Sequence, residues 1–275
     1  MTAEHRWYHD NLEWWDEKVP LHVEGEFYRV PQFLAGEEQL RPFEIAELGD
    51  VSGRTLFHPQ CHFGQDTLCW ARRGAQVTGL DFSPAAIAAA RKLASDASID
   101  DARFVCADVY DTSVALGGER FDVVYTGLGA INWLDDIERW ATTMAAACKP
   151  GGTFYLAEFH PVAATFDDEA TEVALVPRYG YFGHEWHDTS ETMTGSYGAT
   201  DSVTEFNRTH ERVWTLGEVL SAIAGAGFRI EFLHEHDFTL YESLRFLVRT
   251  DRGYELPDGL PRLPMMYSLR ATLVQ

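Results

Sequence analysis

The sequence predicts an α/β fold built on a mostly parallel sheet. Three observations carry this reading. Residues 54–94, RTLFHPQCHFGQDTLCWARRGAQVTGLDFSPAAIAAARKLA, read as strand, tight turn, helix, strand, acidic residue, helix. Short apolar runs then alternate with helical segments as far as residue 160. At 275 residues the chain can bury a full core, the size expected of one α/β domain with additions.

The elements follow in order. Residues 55–58 are a short apolar run suited to a buried strand, and Gln60-Cys61-His62-Phe63-Gly64 is the turn. A helix over 66–73 stops at Gly74, a favourable residue just beyond a helix end. Residues 76–80 form the second strand, with Asp81 at its carboxyl end, 17 residues after Gly64. Ser83 caps the next helix, which carries Pro84 in its first turn and a long alanine run. A third strand over 103–107 ends in Asp108-Val109, and a fourth over 121–125 opens into Thr126-Gly127-Leu128-Gly129. An amphipathic helix over 134–148 stops at Lys149-Pro150-Gly151-Gly152, before a fifth strand over 153–159. Thr215-Leu216-Gly217-Glu218 is a capping box opening a helix that runs to Ala226. Residues 228–233 are the sixth strand, and 267–274 the seventh, antiparallel one.

An acidic side chain at the end of the second parallel strand is placed to take two ribose hydroxyls, so the unit looks built for an adenosine-containing cofactor. NAD proteins put G-x-G-x-x-G in the first turn to face a pyrophosphate. This turn, His58 to Gly64, has one glycine and is a poor diphosphate cradle.

The turn resembles that of S-adenosylmethionine (SAM) methyltransferases of class I, usually acidic-x-Gly-x-Gly-x-Gly. His58 stands for the acidic residue, Gln60 and His62 for two glycines, and Gly64 is retained. The form with QCHFGxDT resembles a bacterial branch of that superfamily. The order strand, Phe121-Asp122, strand, helix, KPGG, strand extends the resemblance over about 110 residues. It implies a Rossmann-like, seven-stranded, mostly parallel sheet in the order 3-2-1-4-5-7-6, with helices on both faces. It also implies SAM as cofactor, held by Tyr28, Gln60, Cys61, His62, Gly64, Asp66, Asp81, Phe82, Asp108, Val109 and Thr126. Asp108 would take the adenine amine and Val109 the ring.

Residues 51–160 are then the cofactor-binding core and 213–275 the rest of the core sheet. Residues 1–50 carry Trp7, Tyr8, Trp14, Trp15, Phe27, Tyr28, Phe33 and Phe43. They either close over the cofactor as a lid, through 27–30 and 33–36, or pack against the sheet edge. Residues 161–212 are too long and aromatic for a plain connector. They are read as an inserted substrate cap with a short antiparallel hairpin, contributing Tyr181, His184, Trp186, Tyr197 and His210. The stretch 238–265, with Pro257, Pro261 and Pro264, is a second loop able to reach the site.

Methyl transfer from SAM needs nucleophile, methyl and sulfur held in line with water excluded; a base is needed only if the acceptor must lose a proton first. His160, directly after the fifth strand, is the best base candidate, or else it orders the cap. Glu158 holds a cationic amine, orients His160, or anchors a loop. His184-x-x-His187 and His234-x-His236 are possible metal pairs, but no metal is expected.

The formal charge is −21, from 43 acids against 22 bases. Such a surface repels phosphate backbones, so sequence-independent nucleic-acid binding is not expected. Four cysteines without CxxC spacing read as buried reduced thiols. The charged, aromatic N-terminus lacks a signal core, and no apolar run approaches a membrane span, which points to a cytoplasmic protein. The reading is a methyltransferase acting on an O or N atom of a small, aromatic or apolar acceptor. The alternatives are SAM-dependent cyclisation or decarboxylation, or a non-catalytic SAM-binding regulator. Oligomeric state is not legible.

Overall fold

The computed structural model describes residues 3–182, 184–188 and 202–274. Three helices come first: α1 (Ala3–Glu24), α2 (Val30–Leu34) and α3 (Pro42–Leu48). The core then alternates through β1 (Thr55–Pro59), α4 (Gln65–Arg72), β2 (Gln76–Asp81), α5 (Pro84–Asp96), β3 (Arg103–Cys106), α6 (Thr112–Ala115), β4 (Phe121–Thr126), α7 (Ile137–Ala147) and β5 (Cys148–Phe159). After it come β6 (His184–Asp188), β7 (Thr209–Val213), α8 (Leu216–Gly225), β8 (Phe228–His236), β9 (Phe238–Thr239), β10 (Val248–Thr250), β11 (Gly253–Glu255) and β12 (Met266–Leu273).

The main sheet has seven strands in the order β3-β2-β1-β4-β5-β12-β8. Counting only its own strands along the chain, that order is 3-2-1-4-5-7-6. β1 to β5 pair in parallel, and β12 runs antiparallel to both of its neighbours. Successive residues on a strand face opposite sides, so adjacent apolar residues feed two different cores. Phe57, Val124 and Phe154 pack with Trp140, Met144 and Ile223 under α7 and α8. Leu56, Val123 and Tyr155 pack with Leu68, Trp70 and Ile87 under α4 and α5. Both faces are covered, as a parallel sheet requires.

Several boundaries differ from the sequence reading. β5 begins at Cys148 and runs through Lys149-Pro150-Gly151-Gly152, which the sequence marks as a stop. The reason is a tie across the strand ends. Lys149 Nζ lies 2.8 Å from Asp122 Oδ1, and Asp122 Oδ2 accepts from the Thr55 amide and hydroxyl at 2.9 and 2.7 Å. Against the upward push of burial, these donors hold the Asp122 carboxyl at about 2. Residues 238–255, read as loop, contain a small sheet of order β10-β11-β9. Leu244, Leu247 and Met265 form its own apolar cluster. Cys106 is exposed at the end of β3; the other three cysteines are buried, and all four are free.

The N-terminal region is dominated by α1, which lies across α5 and β7. Asn11 exchanges two hydrogen bonds with the His210 backbone, at 2.9 and 2.8 Å. Asp16 accepts from the Ser83 hydroxyl and the Ala85 amide at the start of α5. Buried Lys18 donates to the Phe206 carbonyl at 2.9 Å. One helix thus ties the core to the segment that follows β5. No helix among the described residues is long and apolar enough to cross a membrane.

Candidate functional site

A cleft of about 2390 Å³ opens over the carboxyl ends of the parallel strands. That exceeds the ~300–1,000 Å³ usual for one small-molecule pocket, so it has room for a cofactor and an acceptor together. Its floor is His58 of β1 and Gln60 just after it, Asp81 ending β2, Asp108 after β3, Gly127 after β4 and Phe159 ending β5.

The turn after β1 sets the geometry of the floor. Gln60, His62 and Gly64 all have left-handed φ, at 54°, 51° and 73°. These are the three positions that the resemblance aligns with glycines. For a residue with a side chain, such a φ costs about 1–2 kcal/mol. Local contacts offset this cost. Gln60 Nε2 donates to the Ala130 carbonyl at 2.8 Å, and the His62 amide donates to Asp81 Oδ2 at 2.8 Å. Only glycine fits at 64, because a Cβ there would stand 2.5 Å from the Phe104 ring.

The His62 ring meets His22 of α1, with Nε2 and Nδ1 2.9 Å apart. Burial, then the charge of Lys18, pushes His22 down to about 4, and burial holds His62 well below its ordinary value. One neutral imidazole therefore donates to the other, linking α1 to the turn. His58 is also neutral: burial pushes it to about 4, and its Nδ1 lies 2.8 Å from Thr67 Oγ1.

Asp81 is buried at 6% exposure. Its Oδ2 takes the His62 amide and its Oδ1 the Ser83 amide at 3.0 Å. A carboxylate has about four acceptor sites, so two remain for a diol. Burial raises Asp81 to about 6 against the pull of those two amides. Asp108 accepts the Tyr110 amide through Oδ1 at 2.8 Å, and burial raises its pKa. Val109 is buried beside it, and both line the cleft. Tyr28, Cys61, Asp66 and Phe82 also reach the cleft.

Five of the site residues named from sequence face elsewhere. Thr126 is fully buried and off the cleft, which Gly127, Leu128 and Gly129 line instead. Glu158 is buried and accepts four backbone amides, from Gly129, Ala130, Ile131 and Phe159, at 2.7–3.0 Å. It anchors the loop after β4 and does not serve as a catalytic group. Burial raises its pKa against those four donors. His160 lies outside the cleft at 3% exposure, with Nδ1 accepting the Val162 amide at 3.2 Å and Nε2 3.1 Å from Glu235. Strand alternation points Phe159 into the cleft and leaves its neighbours facing away. Tyr181 accepts the Leu216 amide at 3.3 Å, while Tyr179 and Phe182 reach the cleft. His210 is buried, stacked on Trp7 and 2.8 Å from Asp10 Oδ2, where it clamps β7 to α1.

Tyr197 lies outside the described residues. His184 and Trp186 lie on β6, which pairs antiparallel with β7 through Trp186↔Glu211 and His187↔His210; their side chains are outside the description. In the leader, Phe27 and Tyr28 line the cleft, but Phe33 is buried against Arg72 and takes no part in a lid. His234 and His236 are engaged with Glu47 and Ser268. Among the described residues no group of three His, Cys, Asp or Glu is placed to hold a metal ion.

Other residues of the site are not evident from sequence. Gln65 is buried at 6% exposure; its Nε2 donates to the Tyr28 carbonyl at 2.7 Å, and its Oε1 has no hydrogen-bond partner among the described residues. Beside it Arg41 pairs with Asp66 at 2.7 Å. Both face the cleft. Trp14, Trp15 and Trp133 form an aromatic wall with ring centroids 5.0–5.6 Å apart. Trp214 donates Nε1 to the Ile131 carbonyl at 3.0 Å. Leu240 and Tyr241 of the 238–265 stretch reach the rim.

Residues 58–156 match the methyltransferase domain family. Over those residues the chain is similar to methyltransferase domains, and its seven-stranded sheet has a Rossmann-like fold. A ubiquinone biosynthesis O-methyltransferase of Methylobacterium sp. (strain 4-46) is 32% identical over 156 residues, covering 56% of this chain. This chain spans 61% of that relative's length. Among solved structures, a SAM-dependent methyltransferase from Mesorhizobium loti matches with TM-score 0.59 and 23% identity, over 87% of this chain and 99% of that one. A putative SAM-dependent methyltransferase from Listeria monocytogenes matches with TM-score 0.61 and 20% identity, over 85% and 97%. The two structural likenesses show the fold.

Proposed function

We propose that this protein transfers a methyl group from SAM to an O or N atom of a small acceptor with an aromatic or apolar body. The observation that carries this reading is the convergence of Asp81 and Asp108-Val109, from adjacent strand ends, on one cleft. Asp81 takes the ribose diol, Asp108 the adenine amine, and Val109 the face of the ring. The residues at the opposite end suit an amino acid. Gln65 Oε1 is a buried acceptor awaiting a donor such as an ammonium, and the Arg41–Asp66 pair presents a guanidinium to a carboxylate.

When bound, SAM supplies an electrophilic methyl group on sulfur. The chain's part is to position the acceptor and exclude water. The aromatic wall of Trp14, Trp15 and Trp133 does both. His160 does not stand at the transfer point, so positioning rather than proton removal by that residue drives the reaction. Residues 1–50 act as the lid, mainly through α1, and 161–212 as the acceptor cap over the core at 51–160 and 213–275. The relatives' O-methyltransferase names support oxygen as one of the two acceptor atoms.

Thermal unfolding with SAM, S-adenosylhomocysteine or NAD tests the cofactor assignment. The first two raise the melting temperature and NAD does not. Stabilisation by NAD alone, or by none of the three, overturns it.

A further inference from the structure

The carboxylate of Asp81 is oriented from outside the cleft. It takes two backbone amides, that of His62 on Oδ2 and that of Ser83 on Oδ1. Each of these two residues is gripped in turn by α1. The His62 ring is hydrogen-bonded to His22 at 2.9 Å. The Ser83 hydroxyl donates to Asp16, which also takes the Ala85 amide at 3.2 Å. His22 and Asp16 both lie off the cleft, and His22 is fully buried.

The same helix carries Trp14 and Trp15 of the aromatic wall. It also holds the segment that leads into β7. Glu17 accepts the Glu205 and Phe206 amides at 2.7 and 2.9 Å, and Asn11 exchanges hydrogen bonds with the His210 backbone. One element therefore grips the Asp81 carboxylate on one side and bears the acceptor wall on the other.

We propose that His22 and Asp16 are positioning residues that set Asp81 for the cofactor ribose from α1, so that cofactor binding and the docking of α1 reinforce each other. This rests on the methyltransferase reading above, which supplies the ribose. His62 keeps a left-handed φ of 51°, and such strain persists only where the surroundings over-determine it. Its amide bond to Asp81 and its ring bond to His22 are those constraints. Trp15 and Tyr28 stand 4.9–5.8 Å from the two imidazoles, so water replaces the ring bond poorly. Without that bond the turn relaxes, and Asp81 loses one of the two donors that fix its rotation. Coupling of this kind is reciprocal: what α1 adds to affinity at Asp81, a ligand there returns to the docking of α1.

The test is calorimetry with S-adenosylhomocysteine on His22 variants. His22→Leu fills the space without a hydrogen bond and should weaken binding about tenfold. His22→Asn, whose amide can donate or accept at the place of Nδ1, should recover affinity to within about threefold of the parent. On a His62→Gly background, which suits the left-handed φ, His22→Leu should change affinity by less than about twofold further. Amide exchange on the parent protein needs no variant: saturation with S-adenosylhomocysteine should slow exchange over residues 3–24. Parental affinity in His22→Leu, an Asn variant no better than the Leu one, a full loss on the His62→Gly background, or unchanged exchange over 3–24 overturns this inference alone. Failure of the parent protein to bind S-adenosylhomocysteine overturns the methyltransferase reading and this inference with it, so the two failures are distinguishable.

Discussion

The cofactor-facing wall of the cleft is drawn mainly from residues 58–111, consecutive strand ends and the turns that leave them. The opposite wall takes Trp14 and Trp15 from α1, Trp133 from the turn after β4, Asp168 to Phe182 and Asn207 to Glu218 from beyond β5, and Tyr241 from near the small sheet. The polar groups of the first wall are desolvated. Asp81 is raised to about 6, His58 is lowered to about 4, and Gln65 Oε1 is buried with no hydrogen-bond partner among the described residues. Several carboxylates of the second, such as Asp135, Glu138, Asp168 and Glu169, are exposed. A buried acceptor discriminates by specific hydrogen bonds, because leaving it unpaired costs free energy. Exposed charges act through a summed field, which selects sign more than shape. One wall is therefore built for one ligand and the other for a class of ligands.

The largest expected effect comes from the residue that joins the walls. Glu158 holds the amides of Gly129, Ala130 and Ile131, the segment that carries the chain from one wall to the other. Glu158→Ala should lower stability by about 3 kcal/mol or more, since several buried donors lose a charged acceptor at once. Urea unfolding measures it, and a loss under about 1 kcal/mol would mean that those amides find other partners.

Next in size is Asp81→Ala, expected to weaken S-adenosylhomocysteine by about 2–4 kcal/mol through two charge-assisted hydrogen bonds. Calorimetry reads this directly, and unchanged affinity removes Asp81 from the ribose. The pH dependence follows from its raised pKa of about 6. Affinity should be level above that value and fall as pH drops through it, because the protonated acid accepts less well from the diol. An affinity flat from pH 8 to 5 would contradict this.

The histidines give a smaller, graded effect on folding. His22 and His58 have folded values near 4 and His62 lies well below its ordinary value, whereas an unfolded histidine titrates near 6.5. The unfolded chain binds more protons in that window, so stability rises with pH there and is complete above about 6.5. Each of these groups should remove about 1.4 kcal/mol per pH unit as pH falls from 6.5 towards 4. Asp81 opposes the trend, because its folded form takes up a proton at higher pH than its unfolded form. His58→Gln should flatten the unfolding profile, and a profile identical to the parent's would show that His58 is not held neutral.

The smallest effect tests the strained turn. Gln60→Gly removes a left-handed side chain and also its bond to the Ala130 carbonyl. The two changes nearly cancel, so stability should stay within about 1 kcal/mol of the parent. A larger loss would show that the bond between the walls outweighs the strain.

Sequence alone determined the order of the core elements, Asp81 and Asp108 at strand ends, and the turn after β1. These depend on neighbours close in the chain: apolar runs, a capping serine, a glycine that no Cβ can replace. The acceptor wall was legible only as an aromatic-rich surplus, because its members lie as far apart in the chain as Trp14 and Tyr241 and meet through α1 and β7. Direction was equally hidden. Glu158 and His160 flank Phe159 in sequence, yet only Phe159 enters the cleft. Which side of a strand end faces a ligand depends on what packs behind it: here four backbone amides take Glu158, and Glu235 with the Val162 amide takes His160. Tertiary packing decided these roles, because a buried polar side chain turns toward whatever partners satisfy it.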